Sequence, residues 1–168
     1  MLSRFPTFDT MSIIDPTDGS IQMASPDFKF GPALRREEFL NSCLGVMSKD
    51  ATANPPWPSY RFCPIIIAGE EFAGQIYFHG EKLYSFHFAS TRPEFGTSWA
   101  DCTLERELAC KQFHERWLEN IFSTPPLVLI ASSKDRRESM MGYDFLWGRV
   151  ASVYDSKSSG SSIIVQYK

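Results

Sequence analysis

One helix set in a run of strands constrains this chain more than any other feature. Residues 99–122 read WADCTLERELACKQFHERWLENIF, the longest stretch without glycine or proline. Nearly everything on either side reads as strand and tight turn. A lone amphipathic helix needs an apolar surface to lie on, and flanking strands supply one. The pattern predicts an α+β fold: a curved antiparallel sheet, made of a meander plus terminal hairpins, packed against one long α-helix over residues 98–122. Ser98 is placed to cap that helix, because its hydroxyl can accept from a free N–H of the first turn. Asp101 then falls where negative charge meets the positive end of the helix dipole. Pro125-Pro126 blocks continuation at the far end.

The strand signals are strongest over residues 60–91. Tyr60-Arg61-Phe62 leads into Ile65-Ile66-Ile67, and Gly69-Glu70-Glu71 reads as a turn. Phe72 to Phe78 and Leu83 to Phe88 follow as strands joined by a turn at 79–82. Such short connections make an antiparallel meander. In the last strand Tyr84, Phe86 and Phe88 are expected to face the core, which puts His87 on the wetter side. Nearer the start, Asp18-Gly19 is a hairpin turn signal between Ile13-Ile14 and Ile21, because glycine takes a positive φ at no steric cost. Phe28-Lys29-Phe30 reads as a short strand. Residues 33–47 are expected to hold a short helix stopped at Gly45. Residues 48–59 read as a Pro-rich loop carrying Trp57, and 132–144 as a charged loop. Residues 145–154 and 163–167 read as two closing strands.

Composition narrows the function. At 168 residues with 43% hydrophobic content, the chain fits a single globular domain, 1–168, with a real core. A net charge of −3 argues against a nucleic-acid binder, which needs a basic patch to displace phosphate counterions. No apolar run approaches a membrane span, and the opening MLSRFPTFDTMS lacks the apolar stretch of a signal peptide. Cys43, Cys63, Cys102 and Cys110 have no paired spacing, which suits reduced thiols in the cytoplasm better than a zinc site. No metal or cofactor is expected. No Walker loop, dinucleotide fingerprint or nucleophile elbow is present.

On a helical wheel Cys110, Phe113, Trp117, Leu118 and Ile121 form one apolar arc, with Glu105, Gln112, Arg116 and Glu119 opposite. Glu107, Lys111 and His114 fall inside or beside the apolar arc. They read either as scaffold, with Glu107 and Lys111 an i,i+4 pair, or as an acid–base cluster at a pocket that would also use His87. Glu107 and His114 lack the two-histidine spacing of a zinc helix. Partner contact is expected on the solvent face of the helix (Asp101, Glu105, Glu119), on the charged run Asp135, Arg136, Arg137 and Glu138, and at Trp57.

Several segments carry a family resemblance. They are Asp15-Pro16-Thr17-Asp18-Gly19-Ser20-Ile21, Gly96-Thr97-Ser98-Trp99 before an acidic helix with His114 and Trp117-Leu118, and the closing Trp147-Gly148, Tyr154-Asp155-Ser156-Lys157 and 163–167. Together they resemble small bacterial immunity proteins encoded beside secreted or contact-dependent toxins. The resemblance implies a non-enzymatic protein, monomer or homodimer, that neutralises a cognate toxin or effector by direct contact. It carries over no catalytic residue. The alternative is a small-molecule-binding domain or modest enzyme with a pocket between helix and sheet.

Overall fold

The computed structural model describes residues 13–52, 54–133 and 136–168. Its frame is an eight-stranded antiparallel sheet ordered β3-β4-β5-β6-β10-β9-β8-β7. The strands are β3 (Lys49–Thr52), β4 (Ser59–Ile67), β5 (Glu70–His79), β6 (Lys82–Ser90), β7 (Leu127–Ile130), β8 (Met140–Phe145), β9 (Gly148–Asp155) and β10 (Gly160–Tyr167). Two meanders, β3 to β6 and β7 to β10, join where β10 pairs with β6. A separate ribbon of β1 (Ile21–Met23) and β2 (Phe28–Phe30) precedes them, followed by the short helices α1 (Arg36–Leu40) and α2 (Cys43–Met47).

The long helix, α3 (Leu104–Phe122), is what lets the second meander start at the far edge. From β6 to β7 is four strand spacings, about 19 Å. The 19 residues of α3 span about 28 Å, enough to cross that half of the sheet and return the chain to its edge. The helix packs on β6, β8, β9 and β10.

Among the described residues the covering elements lie on one face. There Phe72, Ile76, Phe78, Phe86, Phe88, Val150, Ile163 and Val165 are at most 1% exposed. Trp117 of α3 meets the rings of Phe72 and Phe88 at 5.2 and 5.8 Å. Phe30 meets Phe86 edge-on at 5.4 Å, and Phe39 of α1 packs on Tyr60, Phe62 and Phe78. So many rings in one layer need a gap, and Gly74 supplies it. A Cβ there would sit 2.5 Å from the Phe62 ring and 3.0 Å from that of Phe86. Among the described residues the other face of the sheet carries no helix or ribbon.

The α+β class, the antiparallel meander, the positive φ at Gly19 (76°) and the helix end before Pro125-Pro126 all stand as the sequence predicts. Several boundaries differ. The helix starts at Leu104, not at 98: Cys102 is extended, so Trp99–Asp101 closes a separate 3-10 turn, and Thr103 Oγ1 caps α3 by accepting from Arg106 N at 3.3 Å. Ser98 instead donates its hydroxyl to the Asp101 carboxylate. Tyr84 points outward because a bulge between Tyr77 and Phe78 puts an extra residue in β6, which turns Leu83 inward. Residues 33–47 form two short helices, with Gly45 inside the second rather than ending it. The 48–59 loop contains β3, and the closing segment from 145 begins inside β8 and turns before β9. The first hairpin reduces to one bridge between Ile14 and Ile21.

Candidate functional site

Beneath α3 lies a buried polar cluster. Glu107 Oε2 accepts from the backbone N–H of Ser161 at 2.7 Å, and Cys102 Sγ donates to its other oxygen at 3.5 Å. Lys111 is 1% exposed and pairs with Glu115 one turn along. Its carbonyl accepts from Ser152 Oγ at 3.2 Å. His114 is fully buried, and its Nε2 accepts from the backbone N–H of Ser90 at 3.1 Å. That bond assigns the ring proton to Nδ1, which has no partner among the described residues.

These bonds decide what the cluster does. Cys110 Sγ lies 3.5 Å from His114 Nε2, the separation of a nucleophile and its base. The nitrogen's lone pair, however, is already taken by Ser90. Burial, helped by the Lys111 charge, pushes the imidazole down to about 3. Burial beside Glu107 pushes the Cys110 thiol up to about 12. At neutral pH both groups are uncharged, the opposite of an activated thiolate–imidazolium pair. Each polar group instead ties one turn of α3 to β6, β9 or β10. Glu107 and His114 therefore sit on the same helix underside, whereas His87 lies on the other side of the sheet. The three do not share a pocket.

His87 belongs to the uncovered face, where the sheet's curvature forms a trough of about 450 Å³ across β4, β5, β6, β10 and β9. Its lining includes Arg61, Gln75, Tyr77, His87, Val153 and Ile164. The Tyr77 and His87 rings are 4.5 Å apart, and Ser85 Oγ is 3.1 Å from His87 Nε2. Burial among them holds the His87 imidazole down to about 4, so it too is neutral. Beside the trough Trp57 covers His79 at 4.5 Å and meets Tyr84 edge-on at 4.9 Å. Gln166 donates to the Tyr84 hydroxyl at 3.0 Å, and Gln75 donates to Ser59 Oγ at 3.1 Å. A second depression of about 420 Å³, lined by Met47, Lys49 and Cys63 among others, shares Arg61, Ala73 and Gly74 with the first.

The residues expected to meet a partner are spread over separate surfaces. Asp101 and Glu105 border one open hollow at the start of α3 with Glu94 and Arg106. There the Thr97 and Ser98 hydroxyls, each 3.1 Å away, hold the Asp101 carboxyl below its usual range. Glu119 is exposed about 21 Å further along the same helix. Arg137 lines a hollow with Glu115 and Met141, and Glu138 ends the 3-10 turn Arg136–Glu138. Asp135 lies outside the described residues, as does the Arg136 side chain. Trp57, 41% exposed, stands alone among these on the open sheet face. Sequence reasoning missed its neighbours Tyr77 and Tyr84, and also Lys49 and Arg61. Alternation along β5 carried a signal for Tyr77; a bulge hid Tyr84.

Among the described residues no group of three or more His, Cys, Asp and Glu is placed to hold a metal ion, and no helix is long and apolar enough to cross a membrane. The fold and its surfaces define an α+β protein whose sheet, among the described residues, is covered on one face and open on the other. No family model matches the sequence, and searches of curated proteins and of solved structures give no match.

Proposed function

We propose that this protein acts by binding another protein, and that the partner is a bacterial toxin or effector that it neutralises by direct contact. The observation that supports this reading is the make-up of the open sheet face. An antiparallel sheet with one solvated side ordinarily sets polar residues there. This one sets Trp57, Tyr77, Tyr84, Arg61 and Ile164 there, with amides between them. Tyrosine, tryptophan and arginine are the residues that dominate binding energy at protein interfaces, where charge is depleted at the centre. The groups that resembled an acid–base cluster serve the scaffold instead. The toxin as partner comes from the resemblance of the turn and closing segments to immunity proteins. Co-expression with the toxin encoded beside this gene tests the reading: growth rescue and a stoichiometric complex are expected, and failure of both rejects it.

The trough also supports a second reading, because its volume of about 450 Å³ suits a small ligand. Native mass spectrometry of the purified protein would then show a bound mass lost on denaturation.

A further inference from the structure

On the open face, β3 and β4 set two cations directly opposite each other. Lys49 pairs in register with Arg61, and both side chains are exposed. Like charges opposed across neighbouring strands destabilise a sheet. Elsewhere the same face sets opposite charges in register: Arg149 faces Asp144, and their ion pair is 3.1 Å long. Neither the Lys49 nor the Arg61 side chain makes a hydrogen bond or ion pair among the described residues.

Of the neighbouring carboxylates, Glu71 and Asp155 are hydrogen-bonded elsewhere, and Asp50 alternates to the other face of β3, opposite Tyr60. Asp50 borders the same depression, but it also borders the slot beside Arg36, and its charge registers on that guanidinium. Glu71 accepts from Thr91 Oγ1 at 2.7 Å. Asp155, at the far end of the trough, accepts from Lys157 N at 2.9 Å. What faces the two cations is the join between the two depressions, where Arg61 also acts on the Tyr77 phenol.

We propose that Lys49 and Arg61 form a carboxylate-binding subsite that receives an Asp or Glu side chain of a protein partner, with the apolar residues flanking that carboxylate lying over Tyr77 and His87. This rests on the protein-binding reading and gives it a surface and a partner chemistry. Charge complementarity selects the occupant. The guanidinium offers a fork of donors that matches a carboxylate, and the ammonium a second charge. The aromatic shelf beside them favours a carboxylate carried on an apolar segment over a free anion. An acid of the partner would turn the opposed cations into a bridged triad, so the repulsion present in the free protein becomes binding energy in the complex.

A direct test needs no toxin. The full chain, labelled for NMR, is titrated with the blocked peptide acetyl-Leu-Glu-Phe-amide, with its Gln counterpart, and with inorganic phosphate. The Glu peptide is expected to shift the Arg61 side-chain Nε–H signal and the amides of β3 to β5, with affinity about tenfold above that of the Gln peptide. Lys49→Gln and Arg61→Gln should each abolish that preference while leaving the melting temperature unchanged or raised. Three results would overturn the proposal: no shift with the Glu peptide, equal binding of the Gln peptide, or phosphate binding as tightly as the Glu peptide. The last would make this a small-anion site. The outcome is separable from that of the co-expression test. Rescue without peptide binding moves the contact to another surface, and peptide binding without rescue rejects the toxin but keeps the subsite.

Discussion

The two faces of the sheet each hold a histidine at low basicity, by different means. His114 on the covered face is sealed under α3, and its Nε2 is fixed by the Ser90 backbone N–H. His87 on the open face is only half-buried, flanked by the Tyr77 ring and the Ser85 hydroxyl. The first environment comes from tertiary packing and is complete. The second comes from neighbours on the same face and leaves a surface that another molecule can finish covering. Burial alone thus does not separate scaffold from site; what closes over the residue does.

That contrast breaks most directly at the large side chains. Phe86 is fully buried among Phe30, Phe62 and Phe88. Phe86→Ala should cost about 3–5 kcal/mol of stability, read from the urea midpoint. Tyr77→Ala, on the opposite face of β5, should cost about 1 kcal/mol. If Tyr77→Ala matched Phe86→Ala, the open face would be part of the core and its assignment as a binding surface would fall.

The histidines sharpen it. His114→Leu leaves the Ser90 N–H buried without an acceptor and should cost about 1–3 kcal/mol. His87→Leu should lie within about 0.5 kcal/mol of the native protein at neutral pH. Acid separates them further. Both imidazoles titrate in the folded protein below the ordinary 6.5, His87 at about 4 and His114 at about 3. Between those values and 6.5 the unfolded chain binds protons that the folded one refuses. Stability is therefore full above 6.5 and is lost as pH falls, by about 1.4 kcal/mol per pH unit for each histidine. His87→Leu should remove its share of that slope between 6.5 and about 4 and leave the remainder below. Denaturant midpoints taken across this range check it. A variant with the native slope would show that His87 is freely hydrated.

How far these features could be read from sequence follows from their length scale. Alternation over 72–88 placed the meander and put His87 opposite Phe86 and Phe88, because period two is written in consecutive residues. The helix start was obscured because nothing in Trp99-Ala100-Asp101-Cys102 opposes helix; the extended backbone at Cys102 breaks it. β3 was hidden because Lys49-Asp50-Ala51-Thr52 has an edge strand's polarity and carries no apolar signal. Tyr84 turned outward through one bulge, which shifts phase without leaving a mark in composition. Glu107, Lys111 and His114 were visible as polar intrusions into an apolar arc. Their role was not, since Ser90, Ser152 and Ser161 come from three other strands.

The smallest effect concerns a register that no local pattern encodes. Lys49 and Arg61 are twelve positions apart, and only the β3–β4 pairing sets them face to face. Lys49→Gln should therefore raise the stability of the free protein, read from the urea midpoint, by about a few tenths of a kcal/mol, at the low end of cross-strand effects because both side chains are exposed. In about 1 M salt, where screening acts within about 3 Å, the gain should vanish. Asp144→Asn, which removes the cross-strand attraction to Arg149, should do the reverse and lose a similar amount at low salt. A destabilised Lys49→Gln would mean that the lysine stem packs rather than repels, and the cation pair would then carry no unspent interaction for a partner to use.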